Sequence, residues 1–240
     1  MILVNIRATL ARRYRGAVPL EVLPIDRADA LLTGLQRIAN GRRQIWQLVY
    51  PDATGGATAH AAAALAQVAT VGDEITVDGV RAVRYDLPAE PHLVPAPAVA
   101  SGAHFGDRIT LLGYDAPTSV LTPGQPVSLR FHWQASGPVA TSYVFFCHVL
   151  GPGEVRYGQW DAVAQGWTLP TTAWQPREQV LDDCDVKIAA DAPPGECVLA
   201  VGLYDQKTKQ RLPVFDAAGN RLPNDVLILS GFRVAGPGGP

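Results

Sequence analysis

Between Ile109 and Pro213 apolar and polar positions alternate in short runs broken by Pro-Gly pairs. Val127, Leu129, Phe131 and Trp133 recur at every second residue, which sets them on one face of a pleated strand. Pro123-Gly124, Pro152-Gly153 and Pro194-Gly195 interrupt the runs at turns, where Pro presets φ and Gly supplies a positive φ. Short strands at this spacing predict an antiparallel β-sandwich. Its expected inward-facing residues include Trp133, Phe131, Phe145, Leu203 and Val201, with Phe131 and Trp133 sharing a face if no bulge intervenes.

The pattern upstream is different. Ile2–Ile6 and Leu20–Leu23 are short apolar runs separated by a basic, helical-looking RATLARRYRG. Asp26 is placed to cap a helix reaching Ala39, with Ala30, Leu31, Leu35 and Ile38 on one stripe and Asn40-Gly41 as its stop. Ile45–Tyr50 reads as a strand, Thr58–Val68 as an Ala-rich helix, and Asp78-Gly79 as a hairpin turn between Glu74–Val77 and Val80–Leu87. This β-α-β-α-β order predicts a small α/β layer with parallel pairing and a terminal hairpin. Pro88, Pro91, Pro95 and Pro97 then mark an extended, semi-rigid linker with the domain boundary inside it.

Composition narrows the function classes. The 240 residues can fill two modest cores, and 48% hydrophobic with 18% charged residues describes a globular chain. A net charge of −2 gives no footprint for nucleic acid or an anionic membrane surface. No segment approaches the roughly 20 apolar residues of a membrane helix. Asn5 and Arg7 end the first apolar run too early for a signal peptide. The chain opens directly on strand-like ILVNI, which points to a longer protein cut at this position. Cys147, Cys184 and Cys197 show no CxxC or metal-ligand spacing; Cys147 and Cys197 sit inside apolar runs, so buried reduced thiols are expected, and a Cys184–Cys197 bridge across neighbouring strands is the oxidised alternative.

A set of motifs is distributed through the second half: Gly113-Tyr114-Asp115, Pro123-Gly124, Trp133 with Ala135, Val144 to His148, Gln159 with Asp161, Pro170-Thr171 with Trp174, Pro193-Pro194-Gly195, Val201 to Asp205, and Arg211-Leu212-Pro213. Together they resemble the soluble, extracytoplasmic C-terminal region of bacterial membrane glycosyltransferases of the dolichyl-phosphate-mannose–protein mannosyltransferase type, as in Chloroflexi-like bacteria. RRQIWQLVY and GVRAVRYDLP are similar to the α/β segment that precedes this module. The family's Gly-Glu after the last Trp is Arg177-Glu178 here, and its catalytic acids lie between membrane helices that this sequence lacks. The resemblance implies an accessory ectodomain on the extracytoplasmic side, attached to a membrane-embedded portion of a longer chain, without transfer of the activity.

Carbohydrate binding has one candidate segment. Trp160, Trp167 and Trp174 fall seven apart with Tyr157 upstream, in a stretch that reads as loop. Aromatic rings can pack on the apolar face of a sugar while Gln159 and Asp161 take its hydroxyls. The plain alternative is that these rings close one end of the sandwich. Asp161, Asp182, Asp183 and Asp185 lack the spacing of a calcium loop and read as ordinary strand acids, and nothing in them selects an acid from a base for glycoside hydrolysis. His132 and His148 read as packed or hydrogen-bonded residues, since no short ligand pair supports zinc. No G-x-S-x-G, G-x-G-x-x-G or Walker loop occurs. Arg12, Arg13 and Arg15 form a small basic patch, a solvated helix face unless lipid phosphates lie nearby.

The sequence therefore predicts an α+β chain. A small α/β domain (1–87) and a Pro-rich linker (88–103) precede an Ig-like or carbohydrate-binding-module-like antiparallel β-sandwich (104–235), and a disordered tail (236–240) ends it. The expected function is a non-catalytic accessory region that grips a glycan or acceptor, with no cofactor, metal or nucleic acid. The alternatives are a protein-interaction sandwich without sugar affinity and, third, a hydrolase with its site at the domain junction.

Overall fold

A computed structural model describes residues 3–5, 20–23, 28–49, 56–77, 79–177 and 179–236. The expected Asp26 cap, the basic helix with Arg12, Arg13 and Arg15, and all of the C-terminal tail but Gly236 lie outside them. The chain divides into two compact units, Met1–Pro95 and Ala96–Pro240.

In the first unit, β1 (Leu3–Asn5), β2 (Leu20–Val22), β3 (Gln44–Val49), β4 (Thr70–Val77) and β5 (Val80–Asp86) form one sheet in the order β2-β1-β3-β5-β4. β1 runs parallel to β2 and β3, and the β4–β5 hairpin turns through Gly79 at φ 78°. Helix α1 (Ala28–Ala39) buries Leu31, Leu35 and Ile38 at the spacing one helical stripe requires. It stops where Gly41 takes φ 71° and the Arg42 guanidinium donates to the Ile38 carbonyl at 2.8 Å. Among the described side chains of the Ala-rich α2 (Gly56–Val68), only Ala61 and Leu65 are fully buried. Ile45, Val83 and Tyr85 complete this core, where the Tyr85 hydroxyl donates to the buried Gln47 amide at 3.1 Å.

Residues 88–103 are not an exposed spacer throughout. The Gln36 amide donates to the Pro91 carbonyl at 2.7 Å and accepts from the Leu93 N–H at 2.7 Å. Leu93 joins the core of the first unit. The proline spacing gave no sign of this, because a single buried glutamine supplies the anchor.

The second unit is a two-sheet antiparallel β-sandwich. One sheet holds β6 (Val99–Phe105), β7 (Ile109–Asp115), β9 (Pro126–Ala135), β12 (Gln179–Lys187) and β14 (Val214–Phe215) in the order β12-β9-β7-β6-β14. The other holds β8 (Val120–Leu121), β10 (Tyr143–Leu150), β11 (Arg156–Ala162), β13 (Gly195–Asp205) and β15 (Leu227–Val234) in the order β11-β10-β13-β15-β8, with β8–β15 its one parallel pair. The β9–β12 register runs without a shift, so Phe131 and Trp133 point the same way. Phe131, Trp133 and Phe145 pack with centroids 4.8 to 6.2 Å apart, and Phe105 meets Trp133 edge-on at 5.2 Å. Val201 and Leu203 close the same core. Arg177 adopts φ 63°, a backbone region that glycine enters without cost.

The cysteines depart from the bridge considered above. Cys184 lies on β12 opposite Leu129 and Cys197 on β13 opposite Phe232, in different sheets. Consecutive strands here cross from one sheet to the other, and all three thiols are free and buried.

Candidate functional site

The outer face of the β10 sheet gathers the chemistry. Phe145, Cys147 and Val149 point into the core, so the pleat turns Val144, Phe146, His148 and Leu150 outward. The register puts Phe146 between Asp161 on β11 and Gly202 on β13. His148 sits between Gln159 and Ala200, and Ala200 faces Ile228 on β15. Gly202 is required there: a Cβ would stand 2.2 Å from Cζ of Phe146. Without it the Phe146 ring lies down on the sheet.

Around that ring the outward side chains form a polar–aromatic layer. His148 packs tilted against it at 4.9 Å and Tyr204 stacks at 6.2 Å, while the Arg211 guanidinium sits 5.1 Å above the Phe146 centroid. Arg211 also donates to the Asn224 carbonyl at 3.0 Å, tying the Pro223–Asp225 turn to this face. His148 Nε2 lies 3.4 Å from Asp161 Oδ2. Burial pushes the His148 pKa down against the opposing pull of Asp161, which leaves a neutral imidazole at neutral pH. Burial, then the Asp161 charge and its hydrogen bond, raise the Tyr204 phenol, which stays a donor.

Between this layer and the turns at 152–154 and 223–225 lies a hollow of 740 Å³. Ala200, Leu150 and Ile228 give it an apolar lining, and Arg156, Glu154 and Arg211 give it charge. Arg156 and Glu154 form no side-chain hydrogen bond or ion pair with another described residue. Asp225 is held ionised by both arms of Arg221, each at 3.0 Å. Among the described residues no Ser, Thr, Cys or Lys lines the hollow. Among the described residues no group of three or more His, Cys, Asp or Glu is arranged to hold a metal. An apolar floor with a neutral imidazole and charged groups at the rim suits a polyhydroxylated ligand.

The six residues expected to bind sugar are not brought together. Arg156–Ala162 is a strand, not a loop, and its alternation splits them. Gln159 and Asp161 face outward beside His148 and Phe146, whereas Trp160 pairs across from Cys147 and packs against the core. Tyr157 packs on the core as well. Trp174 is 3% exposed, its indole donating to the Leu169 carbonyl at 3.3 Å. Trp167 alone of these rings is open, at 57% exposure. It ends a left-handed turn in which Gln165, Gly166 and Trp167 have φ of 55°, 60° and 71°. The Gln165 N–H donates to the buried Asp182 carboxylate at 2.7 Å, so that acid anchors a turn.

Sequence reasoning missed Phe146, His148, Tyr204 and Arg211 as a group. β10 is apolar on both faces, which erases the period that would separate its outer side chains. The usable signal was the motif set: His148, Asp161, Gly202, Tyr204 and Arg211 all belong to it, and all meet on this face.

The opposite outer face, on the β9 sheet, is internally paired. Arg130 grips Asp183 at 2.7 and 3.1 Å, and the Ser128 hydroxyl donates to Asp185 at 2.5 Å. His132 is 1% exposed, with Nε2 2.8 Å from Asp115 and Nδ1 3.1 Å from the Gln179 amide. Despite the burial that opposes it, the His132 hydrogen bond and the Ala98 N–H keep Asp115 below the usual carboxylate range. The hollow beside this ladder measures 470 Å³.

Neither a protein-family model nor a curated protein sequence matches the chain. Three solved structures are similar in shape at 11% identity. The C-terminal domain of wzt covers 61% of this chain and 84% of its own, with a TM-score of 0.40. A CARDB domain from Pyrococcus furiosus, in complex with di-metal ions, covers 55% and 93% with a TM-score of 0.30. A calcium-binding mutant of Bacteroides uniformis beta-glucuronidase 2 covers 57% and 18%, also at 0.30. Scores of this size carry no argument, and the sandwich stands on this chain's own register and packing. No helix among the described residues is long and apolar enough to cross a membrane.

Proposed function

We propose that the C-terminal unit is a carbohydrate-binding β-sandwich, a non-catalytic accessory region of a glycosyltransferase-like membrane protein, and that it takes its glycan in the hollow over β10 and β13. The observation that carries this reading is the 740 Å³ hollow itself, floored by apolar side chains and rimmed by His148, Arg156 and Arg211. Sugar rings gain from apolar contact, and each hydroxyl taken from water needs a replacement partner, so both kinds of group must line one site. The motif resemblance supports placing the unit on the extracytoplasmic side.

The test is retention of the full chain on a broad panel of immobilised neutral and acidic polysaccharides. His148→Ala and Arg156→Ala are expected to lose retention on the ligand found, with melting temperature unchanged within a few degrees. Absence of retention across the panel overturns the reading. A second reading, a protein partner, is favoured by one observation: Ile228, which lines the hollow, is 50% exposed.

A further inference from the structure

The hollow over β10 and β13 carries an excess of positive charge. Its floor follows Phe146, His148 and Leu150 along β10, a row of roughly 13 Å, which suits an oligosaccharide better than a single ring. Arg211 stands over the Phe146 end, 5.1 Å from the ring centroid, and Arg156 pairs in register with Leu150 at the other end. Glu154 and Asp225 are the carboxylates that line the hollow, and Asp225 is taken by Arg221. Asp161 faces His148 Nε2 at 3.4 Å and is not part of the lining. Arg156 and Arg211 are therefore answered on the rim by Glu154 alone. Burial, against the pull of Asp161, and then the fields of Arg156 and Arg211 push the His148 pKa down, so both cations are felt at the middle of the row.

We propose that the glycan taken in this hollow is acidic, an oligosaccharide of the uronic-acid class whose carboxylate is gripped by Arg156. The inference deepens the carbohydrate reading and rests on it. The Arg156 guanidinium has no hydrogen bond or ion pair with another described side chain, so its fork is open to a flat carboxylate. Arg211 is already held by the Asn224 carbonyl at 3.0 Å and by the Phe146 ring. It sets a second positive charge over the floor before any ligand arrives.

Charge also limits what fits. One excess positive charge is met by one carboxylate, whereas a phosphate monoester brings a charge of about −1.5 to −2 and leaves part of it facing Glu154. Glu154 has no side-chain partner among the described residues, so it repels any further anion and sets the charge density that the rim accepts. The apolar floor of Leu150, Ala200 and Ile228 still asks for a sugar face, so an acid without sugar rings satisfies only half of the site.

The experiment titrates the full chain with oligosaccharides of polygalacturonate, hyaluronate and alginate, each beside the same oligosaccharide with its carboxyls reduced to alcohols. At least one acid form should bind about tenfold more tightly than its reduced partner. Arg156→Gln should erase that difference and leave affinity for the reduced form within about twofold, and Glu154→Gln should widen it. Both residues are exposed, so the melting temperatures of the variants should match the wild type. Polyglutamate, a polyanion without sugar rings, should not bind. Equal binding of acid and reduced forms, a difference that survives Arg156→Gln, binding of neutral polysaccharides only, or comparable affinity for polyglutamate overturns the proposal. Of these, equal binding and neutral-only binding leave the carbohydrate reading standing. No binding of any polysaccharide overturns both.

Discussion

The two outer faces of the sandwich use the same residue types to opposite ends. On the β9 sheet, acids and bases answer one another: Arg130 with Asp183, Ser128 with Asp185, His132 with Asp115. On the β10 sheet, Arg156 and Glu154 stand unpaired with any other described side chain above an apolar floor, beside the larger hollow. The difference teaches that polar residues on a strand say little until their partners are known. A ladder that satisfies itself has no hydrogen bonds left to offer a ligand, whereas unspent groups around a hollow do.

Four measurements can break or sharpen this contrast. The largest effect should come from the core that both sheets share. Trp133 is 1% exposed among Phe105, Phe131 and Phe145, and Trp133→Ala should cost about 3–5 kcal/mol in chemical denaturation. A loss below about 1 kcal/mol would contradict that placement.

Next is the floor of the candidate site. Gly202→Val pushes side-chain atoms into the Phe146 ring and should cost about 1–3 kcal/mol. It should also weaken ligand retention by lifting the ring into the hollow. Wild-type stability and retention together would show that Phe146 does not lie on the sheet as described.

The paired face should be the quiet one. Arg130→Met removes a partly exposed ion pair, for which about 0–1 kcal/mol is expected, with no effect on retention. If Arg130→Met abolishes retention, the ligand lies on the wrong sheet and the contrast collapses.

The smallest effect is a slope. The folded pKa of His148 lies below the usual 6.5, so the unfolded chain binds that proton more readily. Stability from this residue is therefore present above pH 6.5 and is lost as pH falls through the lower folded value. Thermal melts of the wild type should decline between neutral and mildly acidic pH, and His148→Gln should flatten that decline. A parallel slope in the variant would remove His148 as its source.

Much of the architecture was legible from pattern alone. Phe131 and Trp133 on one face, the Leu31–Leu35–Ile38 stripe and the turn at Gly79 all follow from local periodicity and local backbone chemistry. The site was not, because it is assembled by register. Trp160 and Asp161 are neighbours in sequence, yet the pleat sends one to the core and the other to the outer face. The even spacing of Trp160, Trp167 and Trp174 meant nothing structurally, since one lies in a strand, one ends a left-handed turn and one follows a short helical turn in extended backbone.

The turn beneath Trp167 has a consequence for synthesis. Left-handed backbone at Gln165 and Trp167 costs about 1–2 kcal/mol for each non-glycine residue, so the local sequence does not hold it unaided. Its anchor, Asp182, is translated 17 residues after Gln165. At about 5–20 residues per second the turn waits roughly 1–3 s for its carboxylate. A nascent chain stalled before Asp182 should accordingly be cut by protease within 163–168, and one stalled after β12 has left the ribosome should not. For that interval the indole later displayed to solvent is an apolar ring beside an unfinished core, and translation speed helps decide where it settles.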